Sequence, residues 1–86
     1  MEILYSEKAA KYLRKLVKTN KKLAQRIIAE IEAYAEKPGG HFDVKVLKGK
    51  FGSFKCLRVG DYRIIFDEEP QIIHVYDIQH RREAYR

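Results

Sequence analysis

FKCLRVGDYRIIFDEEPQIIHVYDIQHRREAYR, residues 54–86, is the stretch that decides how this chain folds. Within it, Gly60-Asp61 separates two runs rich in Val, Ile, Tyr and Phe, the short-range signal for a tight hairpin whose glycine supplies a positive φ. With Val59 and Tyr62 flanking a two-residue loop, Arg58 falls opposite Arg63, Leu57 opposite Ile64 and Cys56 opposite Ile65. Leu57, Val59, Tyr62, Ile64 and Phe66 then share one face, suited to burial under helices. Arg58 and Arg63 share the other with Phe54, Cys56 and Ile65. Like charges directly opposite each other cost a few tenths of a kcal/mol to about 1 kcal/mol, a penalty that a nearby anion removes.

Glu68-Glu69-Pro70 ends the second strand of this hairpin, and a third strand is expected over residues 72–78. Two phases are open to it: either Ile72, His74 and Tyr76 or Ile73, Val75 and Asp77 join the arginine-bearing face. The phase that buries Ile73 and Val75 is preferred, with His74 and Tyr76 toward the open face. Beyond it, HRREAYR (residues 80–86) brings His80, Arg81, Arg82, Tyr85 and Arg86 to the end of the sheet, the densest cluster of donors and titratable groups in the chain.

Upstream, MEILY (residues 1–5) reads as a short strand and Ser6 as a helix N-cap, with Glu7 placed where a negative charge suits the helix dipole. Ala9, Tyr12, Leu13, Leu16 and Val17 recur at helical spacing. Thr19-Asn20 interrupts the pattern, and Leu23, Ala24, Ile27, Ile28, Ile31, Tyr34 and Ala35 form the apolar stripe of a second helix that ends at Pro38-Gly39-Gly40. The lysines and arginines along both helices read either as a solvated face or as a surface for an anion or acidic partner. Val44, Val46 and Leu47 mark a short strand among Lys45, Lys48 and Lys50. GKFGS (residues 49–53) lacks the spacing and the following helix of a nucleotide phosphate loop.

The expected architecture is α+β: an N-terminal strand, then an antiparallel helical hairpin packed on one face of a mainly antiparallel four-stranded sheet. Residues 1–86 form a single domain, near the lower limit of what folds without disulfides or metal, so a partner is expected to contribute stability. A formal net charge of +6 points to polyanions or an acidic protein as company. The single cysteine, Cys56, forms no internal disulfide, and residues 1–20 mix Lys and Arg without an apolar signal core, so a cytoplasmic protein is expected, with no membrane partner. One cysteine and scattered histidines offer no zinc spacing, and no cofactor is expected.

RVGDYRIIFD followed by the terminal HRREAYR resembles the RelE/ParE superfamily of toxin–antitoxin toxins, and the likeness covers essentially the whole chain. The resemblance implies a helical hairpin on an antiparallel sheet, and neutralisation by a cognate acidic antitoxin that wraps the toxin. It also implies one of two activities. RelE-like members are metal-independent endoribonucleases that enter the ribosome and cut messenger RNA; ParE-like members inhibit DNA gyrase. The tail is more similar to the RelE side, which makes ribosome and mRNA the expected partners. A homologue acting only by binding is the third possibility.

By position, Arg63 and Arg81 resemble the family's phosphate-stabilising arginines, Tyr85 its catalytic tyrosine, and Arg58 a commonly basic site. Where the ribonucleases carry lysines on the strand before GDYR, this chain has Phe54 and Cys56, which leaves Lys48 or Lys50 to reach around. Cleavage by the neighbouring 2′-hydroxyl needs a base, an acid and cations around the phosphorus. Arg63 and Arg81 suit the last task, with Arg58, Lys48, Lys50, Arg82 and Arg86 as further phosphate contacts. His80, with an ordinary pKa of about 6.5, or Tyr85, with its pKa lowered by Arg81, Arg82 and Arg86, suits proton transfer. Tyr85 alternatively stacks on a base.

Overall fold

Ser6 opens the helical half of the protein: its backbone is extended, and its Oγ accepts the Ala9 N–H at 3.0 Å. The computed structural model describes residues 1–49 and 52–84, with side chains described for 1–47 and 54–82. Ser6 links β1 (Glu2–Tyr5) to α1 (Glu7–Thr19), which buries Ala9, Leu13 and Leu16. Val17, expected on the same stripe, is 42% exposed; it lies about 100° round the helix from Leu16, at the margin of the covered face.

Asn20 both ends one helix and starts the next. Its N–H bonds to the Leu16 carbonyl, and its Oδ1 accepts the Leu23 N–H at 3.2 Å, capping α2 (Lys21–Glu36). With a single residue between them the helices fold back on each other, and α2 contributes Ala24, Ile27, Ile31, Tyr34 and Ala35 to the core. It stops at Lys37, ahead of Pro38, which supplies no backbone donor.

The remainder is β2 (Val44–Gly49), β3 (Gly52–Val59), β4 (Tyr62–Glu68), β5 (Ile72–His80) and a short α3 (Arg81–Ala84). The sheet runs β1-β5-β4-β3-β2, and every pairing is antiparallel except β1 with β5. The N-terminal strand thus completes the sheet as its fifth member. This is the expected α+β arrangement.

The β3–β4 register is the one the turn dictates: Val59 pairs with Tyr62, Arg58 with Arg63, Leu57 with Ile64 and Cys56 with Ile65. Gly60 sits at φ +59°, which any other residue adopts only with strain. Leu57, Ile64, Phe66, Ile73, Val75 and Ile78 are each at most 2% exposed against the helices. Full burial of such a side chain contributes about 1.5–3 kcal/mol. A one-residue slip would forfeit this for every member at once, so the apolar face holds the charged face in register.

One irregularity matters. Phe66 pairs with Val75 and Ile65 with Asp77, so Tyr76 is an extra residue in β5. Ile73 and Val75 are buried, as expected, but the bulge then shifts the phase: Ile78 also enters the core, while both Tyr76 and Asp77 reach the open face. The bulge is held by Ser6, whose N–H bonds to the Val75 carbonyl at 2.8 Å and whose hydroxyl donates to the Tyr76 carbonyl at 2.6 Å.

Candidate functional site

The face of the sheet opposite the helices gathers the arginines. Arg58, Arg63 and Arg81 line one cleft of about 200 Å³ together with Gly60, Asp61 and Tyr62. Two of the three cations are placed by strand register. The third arrives because β5 runs on to His80 and the backbone N–H of Arg81 bonds to the Asp61 carbonyl at 2.7 Å, tying the start of α3 to the hairpin turn. Three guanidiniums around a small cleft with one carboxylate, Asp61, form a site for an anion with several oxygens, since each guanidinium presents a planar fork of donors.

Arg63 is half-buried, and its Nε donates to the Cys56 sulfur at 3.5 Å. The thiol is itself buried, at 7% exposure, so Cys56 steadies the arginine stem. A second cleft, of about 170 Å³, shares Arg58 and Arg63 and adds Asp43, Lys45, Leu47 and Cys56. Lys45 is the Cα partner of Cys56 and lies on the arginine face. Sequence reasoning passed over it in favour of Lys48 and Lys50. The signal was present in the alternation of Val44, Lys45 and Val46, but it becomes informative only once β2 is known to pair with β3. The Lys48 side chain, Lys50, Tyr85 and Arg86 lie outside the described residues.

His80 stands at the end of the sheet, as expected, but on the side of the strand that Tyr62 occupies. It ends β5 opposite Tyr62, ring centroids 5.0 Å apart and nearly perpendicular, while its neighbour Gln79 takes the position opposite Arg63. Strict alternation from His74 and Tyr76 would set His80 on the arginine face; the Tyr76 bulge reverses the phase of the strand's last residues, so Gln79 takes that place. His80 Nδ1 accepts the Arg82 backbone N–H at 3.1 Å, capping α3. His80 and Arg82 line a broader depression with Asp61 and Arg81, the two residues it shares with the arginine cleft.

Further along the open face the character changes. Phe54 and Tyr76 pack edge to face at 5.2 Å, and Tyr76 stacks on His74 at 6.2 Å. Among the described residues no three His, Cys, Asp or Glu side chains gather as a metal site, and no helix is long and apolar enough to cross a membrane.

Residues 3–85 match the family described as the ParE toxin of the type II toxin–antitoxin system parDE. The chain belongs to this family, within the RelE/ParE superfamily, and is a toxin of a type II toxin–antitoxin system. No curated protein sequence matches it. Its fold is shared by RelE in the archaeal RelE–RelB complex of Pyrococcus horikoshii OT3 (22% identity, 93% of each chain, TM-score 0.74). It is shared equally by the toxin of the YoeB–YefM complex of Staphylococcus aureus (16% identity, 93% of this chain and 95% of that one, TM-score 0.77). The H87Q mutant of YafQ from E. coli is similar over 99% of this chain and 98% of its own, at 11% identity and a TM-score of 0.77. Those RelE and YoeB structures hold the toxin with a second protein.

Proposed function

We propose that this toxin is a ribosome-dependent endoribonuclease that cuts messenger RNA without a metal ion and so stops translation. The observation that carries the reading is the convergence of Arg58, Arg63 and Arg81 on one cleft. A scissile phosphate held there has its non-bridging oxygens between guanidiniums, where the charge that builds on the pentacoordinate phosphorus is stabilised. The ribose 2′-oxygen attacks phosphorus in line, the P–O5′ bond breaks, and the products are a 2′,3′-cyclic phosphate and a 5′-hydroxyl. One proton leaves the 2′-hydroxyl and one goes to the departing 5′-oxygen. Tyr85 is proposed to move one of them, and His80, which ends β5 on the Tyr62 side and lines the depression adjoining the cleft at Asp61 and Arg81, the other. Lys45 adds a cation at the Cys56 position, close to Arg58 and Arg63. Requirement for the ribosome fits a site with cations in excess of proton-transfer groups, since ribosomal RNA would then orient the message.

The cognate antitoxin is proposed to be an acidic segment covering the lysine-bearing helices or the arginine face, and the cytoplasm is the proposed compartment. A second reading, inhibition of DNA gyrase, is favoured by the ParE description of the matching family and by Phe54 and Cys56 at positions where lysines are expected of a ribonuclease. A translation reaction and a supercoiling assay run side by side separate them. Shortened messages with unimpaired supercoiling support the ribonuclease; intact messages with blocked supercoiling support the gyrase reading.

A further inference from the structure

The bulged residue Tyr76 is the least explained feature of the open face. A strand without the bulge would keep strict alternation and its full ladder; this one gives up pairing at Tyr76, and Ser6 satisfies the carbonyls of Val75 and Tyr76. The outcome is a tyrosine ring left 42% exposed but held by two neighbours, Phe54 nearly perpendicular to it at 80° and His74 nearly parallel at 17°. Leu4, the Cα partner of His74, is 43% exposed beside it. Rings fixed in this way present a flat apolar surface at little cost in conformational freedom.

We infer that Tyr76, supported by Phe54 and His74, is a stacking platform for an unpaired base of the single-stranded RNA whose phosphate occupies the arginine cleft. The inference rests on the ribonuclease reading and adds to it a second subsite. Continuity comes from the register. Arg63 stands opposite Gln79 and Ile65 opposite Asp77, so the platform begins about 7 Å along the strands from Arg63, on the same face. Charge sorts the two ends. The arginine end takes phosphate, whereas Asp67, the Cα partner of His74, and Glu69, 3.6 Å from His74 Nε2, make the aromatic end repel phosphate while leaving it open to a neutral base. An aromatic surface next to a cationic groove is the arrangement by which single-stranded RNA is held without regard to sequence.

The experiment measures binding of the purified toxin to a labelled short oligoadenylate and to an abasic ribose–phosphate oligomer of the same length, at low salt. Tyr76→Ala is expected to weaken oligoadenylate binding about tenfold and leave the abasic oligomer unaffected, while Tyr76→Phe binds both as wild type does. Arg63→Ala weakens both probes. Oligoadenylate binding unchanged in Tyr76→Ala, with Arg63→Ala still impaired, would overturn the platform and leave the phosphate cleft standing. Equal weakening of both probes by Tyr76→Ala would make the residue structural and also overturn it. No oligoadenylate binding by wild type would overturn the platform, while the ribonuclease reading stands or falls on cleavage of ribosome-bound message. Tyr76→Ala that keeps its RNA affinity but loses affinity for an acidic antitoxin peptide would reassign the face to protein.

Discussion

Arg58 and Arg63 stand directly opposite each other across the β3–β4 pair, on the uncovered face of the sheet. Removing either one should relieve repulsion worth a few tenths of a kcal/mol to about 1 kcal/mol and leave the buried face intact. A residue kept at a cost to stability is best explained by the anion it receives.

Arg63→Ala and Arg81→Ala are therefore expected to melt at or near the wild-type temperature while losing growth arrest, with cleavage rates down about a hundredfold or more. Thermal unfolding paired with induced expression in cells checks both halves. Full toxicity of the double variant would dismiss the phosphate cleft.

Much of this was legible in the sequence because the deciding signals are local. A two-residue turn at Gly60-Asp61 fixes the register of five residue pairs, and Ser6 and Asn20 mark helix starts by chemistry that acts over three residues. What escaped is specified at long range. The Tyr76 bulge depends on Ser6, 70 residues away, and the same bulge places His80 opposite Tyr62 and carries Ile78 into the core. Lys45 joins the arginine face only through β2–β3 pairing. Alternation read strand by strand contains neither fact.

Ser6 is expected to have two separable roles. Ser6→Ala loses the cap on Ala9 and the bond to the Tyr76 carbonyl, at a cost of about 1–2 kcal/mol. Ser6→Asp keeps an acceptor for the helix but, ionised, has no proton to give the carbonyl. It should recover helix stability without restoring RNA affinity, as denaturant unfolding and oligoadenylate binding will show.

On the helical side, Glu68 accepts from the Tyr34 hydroxyl and from Lys55 Nζ, the latter at 3.1 Å. Burial pushes the Glu68 carboxyl up, but the bonds from Tyr34 and Lys55 outweigh it and hold the group below its ordinary value of 4.5. A carboxylate with a depressed folded pKa stabilises above its unfolded pKa, and the contribution is lost as pH falls through the folded value. Tyr34 is shifted upward by burial and by Glu68, so its contribution is present below its ordinary 10.0 and fades as pH rises beyond it. Glu68→Gln should be less stable than wild type at neutral pH, with the gap closing below about pH 4.5. A gap that persists unchanged into acid would contradict the ion-pair account.

Tyr85 can be assigned by two variants. As a proton-transfer group it tolerates neither Phe nor Ala; as a stacking ring it tolerates Phe alone. Single-turnover cleavage of programmed ribosomes distinguishes these outcomes, and wild-type rates for both variants would exclude Tyr85 from the chemistry.

The most direct measurement is the chemistry of the cut ends when wild type and Arg63→Ala are added to ribosomes stalled on a defined message. A ribonuclease built on this arginine cleft leaves fragments with 5′-hydroxyl and 2′,3′-cyclic phosphate ends, only when ribosomes are present, and far more slowly with Arg63→Ala. An intact message with wild-type toxin, or fragments bearing 5′-phosphates, would contradict it.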